Sequence, residues 1–472
     1  MVAESVLDLV LVADVGGSNY HLGDEALAQV AVEQLQKRGT VRFTVVTADG
    51  LSPFAGYSAG TVAPPRFDPT VGSAADAGRD VVLAGVGHTA LAAAIRGADA
   101  LLVAGGGNVC ASWPHMVAVR VAALRIARDA GVPAVLTGQS VGPALTRRQQ
   151  SLLAEVLPGA ALVGCRDEAS LALVGRLAPS AHAVLQLDDA VATIELPTTG
   201  LPARFVMLTT HDLARAVDTA VVADRLAVAS GFPVVVMPNT DADVAVAAAV
   251  AAAATHPGVL AGPLLSPGQF LGAVRRAHLV VSSRFHPIVF ALAAGVPCVA
   301  ISSDAYTAAK LDGALAHAGM SAWRLPSAVL ASRAAGELID EALRRRSELA
   351  DHLAGVTAAW PDSSQHHWAD VWTALNGQPL DLRPCVVGAT GLSPTAVDVL
   401  ALQRLEAEGH SRLALAEDRA DTAEEYAQSL REARDVDLQE LANAREYALS
   451  LRQVLDARDL EIAALRPALD TC

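Results

Sequence analysis

Between Val280 and Pro297 the sequence passes from a short apolar run to Ser282 and Ser283, then through Arg284, Phe285, His286 and Pro287 into a second apolar segment. Pro287 suits a first helical turn, where a missing N–H costs nothing. Gly295 stops that segment and Pro297 keeps it from resuming. The stretch reads as a buried strand, a turn and a helix, which commits this part of the chain to an open α/β sheet. In such sheets ligands bind beyond the carboxyl ends of the strands, and a helix N-terminus there favours anions. Arg284 and His286 fall on that turn. Residues 298–304 read as the following strand, with Tyr306 and Lys310 just after it. Lys37 and Lys310 are the only lysines in a chain that otherwise uses arginine. A lysine kept just past a strand end points to a point-charge phosphate contact.

The same alternation recurs along most of the chain. Strands are expected at residues 6–13, 41–47, 100–104, 134–137 and 161–164, and again at 205–209, 234–237, 279–282 and 298–301, with helices between them. Residues 51–72, rich in Pro and Gly, read as loop. A hinge is expected at 197–202 and a closing helix at 366–376. This predicts two Rossmann-like, doubly wound domains, 1–198 and 199–378. A linker at 379–395 then leads to a tail at 396–469. There Leu413, Ala416, Ala420, Ala423, Ala427 and Leu430 share one heptad register with later apolar residues, as in a coiled coil or long amphipathic helix. Self-association or partner binding is the expected role of that tail.

Composition narrows the function. At 472 residues, 52% hydrophobic and 18% charged, the chain exceeds one compact domain and can bury a large core. A net charge of -15 argues against nucleic acid as the main partner, although a local cationic pocket can still hold an anion. Cys110, Cys165, Cys298, Cys385 and Cys472 are scattered, odd in number and without C-x-x-C spacing, as expected of cytosolic thiols and neither a disulfide frame nor a metal site. Glu4 and Asp8 flank a short apolar run with no basic leader, and no apolar run reaches spanning length. A cytoplasmic protein without a membrane span is the expectation.

Four more loops stand at the carboxyl ends of expected strands. The first runs through Asn19 and Gly23 to Asp24 and Glu25, which open a helix. The others are Gly105-Gly106-Gly107-Asn108, Gly138-Gln139-Ser140-Val141-Gly142-Pro143 and Cys165-Arg166-Asp167-Glu168-Ala169-Ser170. Asp24 reads as a helix N-cap before it reads as a catalytic acid. Arg166 directly follows a strand and is a stronger site candidate, with Asp167 or Glu168 as pairing partners. His211-Asp212 and Asn239-Thr240-Asp241-x-Asp243 also follow strands; Asx turns and helix caps account for them more readily than contacts to a ligand.

Taken in order, these pieces resemble the polysaccharide pyruvyl transferase family: Asn19-x-x-x-Gly23-Asp24-Glu25-Ala26, Gly105-Gly106-Gly107, Gly138 to Pro143, Arg166-Asp167-x-x-Ser170, Ser283-Arg284-Phe285-His286 and Tyr306-x-x-x-Lys310. The resemblance covers about residues 6 to 330. It implies a fold like that of B-type glycosyltransferases, with a cleft between two Rossmann-like domains. It also implies transfer of pyruvate from phosphoenolpyruvate onto two sugar hydroxyls, giving a cyclic ketal and inorganic phosphate, with no metal or organic cofactor. Carried over, Arg166, Arg284 and His286 are donor-site residues, and Lys310 is a softer match. Forked guanidinium donors suit a substrate bearing both a phosphate and a carboxylate. His286 is the expected general acid for the methylene carbon, and Asp24 or Glu25 the base for a hydroxyl. Asn19, Gly23, Gly106, Gly107, Gln139, Ser140, Ser283, Phe285 and Tyr306 complete the expected substrate-binding set. A nucleotide-sugar-dependent glycosyltransferase on the same architecture, or a non-catalytic coiled-coil assembly protein of a polysaccharide pathway, are the alternatives.

Overall fold

A computed structural model describes residues 6–16, 20–47, 59–64, 90–330, 332–382 and 391–394, together with Gln403 and Glu406. Asn19, Cys385, Cys472 and the expected coiled coil, apart from those two residues, lie outside the described residues. By internal contact the chain separates into Met1–Glu408 and Gly409–Cys472. Everything below belongs to the first unit.

Two parallel sheets carry that unit. The first contains β1 (Leu7–Val12), β2 (Val41–Val46), β3 (Ala59–Val62), β4 (Ala100–Val103), β5 (Gly106–Val109), β6 (Ala134–Val141), β7 (Leu162–Cys165) and β8 (Ala183–Leu185). Its order is β3-β2-β1-β4-β6-β7-β8, with β5 paired to β6 beside it. The second contains β9 (Phe205–Thr209), β10 (Val234–Val236), β11 (Val259–Ala261), β12 (Ala277–Ser282), β13 (Cys298–Ser302) and β14 (Arg324–Pro326), in the order β11-β10-β9-β12-β13-β14. That is the Rossmann order, with its switch point between β9 and β12. Strands such as Phe205–Thr209 are buried along their whole length, as a parallel sheet covered on both faces requires.

The helices that place the site are α1 (Leu22–Gln36), α2 (Ala90–Arg96), α3 (Pro114–Ala130), α4 (Arg147–Val156), α5 (Glu168–Leu177), α6 (Ala216–Ser230), α7 (Asp241–Ala253), α8 (Pro267–Arg276), α9 (Phe285–Ala293) and α10 (Ala305–His317). Their starts follow local chemistry. Asp167 caps α5 by accepting from the Ser170 N–H at 2.7 Å, Thr240 caps α7, and Asp304 caps α10 through a reciprocal bond with Thr307. Gly295, with φ of 67°, supplies the left-handed turn that ends α9. After α11 (Arg333–Arg344) and α12 (Arg346–Thr357), α13 (Trp360–Leu375) leaves the second lobe and packs on the first. There Trp368, Val371, Ala374 and Leu375 share a buried cluster with Leu9, Leu11 and Phe43.

The structure corrects several expectations. Residues 59–62, read as loop, form edge strand β3, held to β2 by the parallel register Phe43↔Ala59 to Val46↔Val62. β8, β11 and β14, three residues each, carry too short a pattern to register as strands. Gly138-Gln139-Ser140-Val141, read as a loop, continues strand β6, because β5 and β7 pair with it there. Asp24 does not cap α1: the helix starts at Leu22, its N-cap residue is His21, and Asp24 lies in its first turn.

Candidate active site

The cleft between the lobes is built by turns at strand carboxyl ends on both sides. From the first lobe, Arg166 follows β7 and Asp188 lies just past β8. The Arg166 guanidinium is buried; Nη1 donates to Asp188 Oδ2 at 2.7 Å and Nε to Ser140 Oγ at 2.9 Å. From the second lobe, Phe285 lays its ring 4.1 Å from the guanidinium carbon, a cation–π contact in a dry setting. His286, edge-on to Phe285, brings Nε2 to 3.9 Å from Asp188 Oδ1, and that nitrogen makes no hydrogen bond among the described residues. Arg166 and His286 therefore face one shared carboxylate from opposite lobes.

The motif glycines owe their identity to this meeting. A Cβ on Gly23 would stand 1.7 Å from His286 Nδ1, and one on Gly107 2.8 Å from Arg166 Nη2 and 3.0 Å from Lys310 Nζ. A Cβ on Gly138, whose φ is 57°, would lie 2.6 Å from Asp189 Oδ2. Each glycine is a recess for a side chain arriving from elsewhere, His286 and Lys310 from across the cleft and Arg166 and Asp189 from within the first lobe.

The other expected residues divide. Lys310 lies 4.0 Å from the Tyr306 ring centroid and 5.7 Å from that of Phe285, while the Tyr306 hydroxyl donates to the Gly107 carbonyl. Asp24 faces His21 at 3.2 Å. Gly106 sits under the buried Arg120–Asp14 pair. Glu25 is half-buried at the start of α1, its carboxylate accepting from the Gly16 backbone. Gln139 is buried and donates to the carbonyls of Ala104 and Thr137 at 2.6 and 2.8 Å, bracing β4 against β6. Ser140 links Arg166 to Asp167, and Ser283 shares a hydrogen bond with His211 Nδ1 at 3.0 Å. Arg284, the N-cap residue of α9, closes its fork on Asp243, with Nε 3.0 Å from Oδ2.

The acids were the part sequence reasoning passed over. Asp243 reads as a turn or cap residue and Asp14, Asp188 and Asp189 are not singled out; the cationic partners of Asp188, Asp243 and Asp14 lie 22, 41 and 106 positions away. Asp189, fully enclosed, accepts from Thr137 Oγ1 at 3.0 Å and from the Gln186 amide at 3.0 Å. The signal available was the Asp188-Asp189 pair just after a short apolar run.

Burial sets the electrostatics. It lowers the His286 imidazole well below its ordinary pKa, with Arg166, His21 and Lys310 adding to the effect. Burial and then Arg166 bring the Lys310 ammonium down to about 7. Burial raises the carboxyls of Asp24 and Glu25, and burial with the Asp188 charge pushes Asp189 up to about 8. Arg166 is thus held by its carboxylate beside Lys310, a cation with no ion pair among the described residues. Among the described residues no group of three or more His, Cys, Asp or Glu is placed to hold a metal ion, and no helix is long and apolar enough to cross a membrane.

The architecture is shared with sugar-nucleotide enzymes. The chain is similar to a putative UDP-N-acetylglucosamine 2-epimerase from Listeria monocytogenes (13% identity, TM-score 0.52, over 80% of this chain and 100% of the other). It is equally similar to MnaA of S. aureus in its UDP co-structure, at 13% identity, TM-score 0.52 and the same coverage. At such identity the likeness shows the fold alone, the two-lobed B-type glycosyltransferase arrangement. No curated protein matches the sequence. The model of one family, polysaccharide pyruvyl transferase, does match, over residues 21–305. That span is more than half of the chain and carries every cleft turn from His21 through Arg166 and Asp188 to His286, so the chain belongs to the polysaccharide pyruvyl transferase family.

Proposed function

We propose that the chain transfers pyruvate from phosphoenolpyruvate to two hydroxyls of a sugar, closing a cyclic ketal and releasing phosphate. The observation that carries this reading is the convergence of Arg166, His286 and Lys310 on one cleft, with a single carboxylate, Asp188, shared between the first two. Phosphoenolpyruvate presents a carboxylate and a phosphate on adjoining atoms, and guanidinium and ammonium groups bind both.

In this reading His286 is a neutral relay. Its Nε2 takes the proton of the first hydroxyl as that oxygen bonds to the central carbon of the donor, and delivers the same proton to the methylene carbon, which becomes methyl. A lowered pKa keeps the imidazole able to accept, and Asp188 at 3.9 Å stabilises the cation while it exists. Asp24, held above its usual pKa by burial, hydrogen-bonds the incoming sugar from the first lobe. Phe285 fixes the Arg166 plane, and Arg284 adds charge at the N-terminus of α9.

A nucleotide-sugar donor would need a free acid in the second lobe to grip its ribose. The acids at those strand ends are engaged: Asp241 with the Tyr20 N–H, Asp243 with Arg284, Asp212 and Asp304 at helix starts. That weighs against the glycosyltransferase alternative.

The test is phosphate release from phosphoenolpyruvate with a panel of glycan acceptors. Wild type releases phosphate in proportion to acceptor, while Arg166→Ala and His286→Ala abolish release. Undiminished turnover in both variants, or no release by wild type with any acceptor in a broad panel, overturns the reading.

A further inference from the structure

The cations of the cleft are not alike. Arg166 has Asp188, Arg284 has Asp243 and Arg120 has Asp14, each at hydrogen-bonding distance. Lys310, among the described residues, has neither a hydrogen bond nor an ion pair. Its amine rests over the Tyr306 and Phe285 rings, above the recess at Gly107, where Arg166 Nη2 also lies. The groups around it are Arg166, Asp24 and Cys110 from the first lobe and Tyr306, Phe285, His286 and Asp304 from the second. Arg166 repels its charge, Asp24, the acid that most favours it, is itself held toward its neutral form, and the rings supply only a weak attraction. A half-buried amine with no ion pair beside a fixed guanidinium is placed to change its charge when an anion binds.

Pyruvyl transfer leaves one proton without a carrier. The first hydroxyl supplies the proton of the new methyl group. The second hydroxyl must lose its proton, and the departing phosphate must gain one.

We propose that Lys310 takes up a proton when the anionic donor binds and is the acid–base group for the second half of the reaction. The ammonium gives its proton to the bridging oxygen as the bond between that oxygen and the central carbon breaks, and the bonding pair stays on the phosphate. The neutral amine then takes the proton of the second hydroxyl as its oxygen bonds to the same carbon. Lys310 ends as it began in the loaded complex, and no outside reactant is required. The assignment rests on the pyruvyl-transfer reading. The amine titrates at about 7 when the cleft is empty, which places it in the range such a carrier needs.

Titration of phosphoenolpyruvate alone into the full chain, by calorimetry at about pH 8 in buffers of differing ionisation heat, reads proton uptake directly. With a free value of about 7, uptake attributable to Lys310 is roughly 0.9 proton per donor bound. Lys310→Arg keeps a fixed charge and binds the donor without that uptake. Its kcat falls about 100-fold or more while KM for the donor stays within a few-fold. Lys310→Met, which cannot hold a charge, loses donor affinity as well. Equal proton uptake by wild type and Lys310→Arg, or Lys310→Arg turnover near the wild-type rate, overturns the assignment while leaving the donor reading in place. Absence of phosphoenolpyruvate binding by wild type overturns both.

Discussion

Gly23→Ala separates the site from the fold. Gly23 lies in the first turn of α1, where alanine satisfies the backbone at least as well and gains roughly 0.5–1 kcal/mol of helix propensity. The new Cβ, however, would stand 1.7 Å from His286 Nδ1, 2.2 Å from Cε1 and 2.6 Å from Cγ. Ordinary contact between such atoms is about 3.5 Å, so the ring must retreat by about 1.8 Å. His286 is enclosed between Phe285 and the body of α9, and an off-rotamer escape costs on the order of 1 kcal/mol, which cancels the helical gain. Stability is therefore expected to stay within about 1 kcal/mol of wild type. Reaction is not spared, because a displacement of about 1 Å already costs about 100-fold when it misaligns a proton carrier. Donor-dependent phosphate release beside a thermal melt measures both quantities on one sample. A Gly23→Ala protein turning over within about three-fold of wild type, with an unchanged melt, would refute the claim that this glycine exists to seat the imidazole.

Two further expectations concern the buried charges. Asp189 binds its proton up to about pH 8 in the folded chain and releases it near 4 when unfolded, so the folded state holds more protons between those values and stability falls as pH rises through them. The full span is on the order of 5 kcal/mol, and Asp189→Asn should flatten the decline in melting temperature between about pH 5 and pH 8; an unaltered slope would show that another group is responsible. Arg284→Ala should lower the melting temperature as well as activity, since it strands a carboxylate, Asp243, that is only 2% exposed; the cost is about 3 kcal/mol at most, because the Asn239 N–H at 3.2 Å still reaches it. Arg284→Lys should recover much of that stability without recovering turnover. A melt unchanged in Arg284→Ala would mean that the pair carries no structural weight.

The architecture was legible wherever a strand is long and covered on both faces, because such strands are unbroken apolar runs: Leu7–Val12 and Phe205–Thr209 were visible as sequence. It was illegible where pairing alone makes the strand. Ala59–Val62 and Arg324–Pro326 have too few residues for a period to show, and Gly138 to Val141 look like a turn until β5 and β7 are laid beside them. The site divides along similar lines. Arg166, Arg284, His286 and Lys310 are conspicuous because charge or imidazole at a strand end needs a reason. Asp188 and Asp243 are not, since aspartate at a turn already has one, and only the folded distances reveal what each restrains. The recesses at Gly23 and Gly107 show the same limit: the glycines were noticed, but the occupants that require them come from 263 and 203 residues further along the chain, His286 and Lys310.

That interleaving has a price in timing. The imidazole nests on one half while belonging to the other, the His317 ring reaches over to the Arg166 carbonyl at 3.0 Å, and the Tyr306 phenol hooks the strand end opposite. Neither half owns a working pocket. Any motion that parted the halves would take the pocket apart, and a turnover that required one could run no faster than that motion.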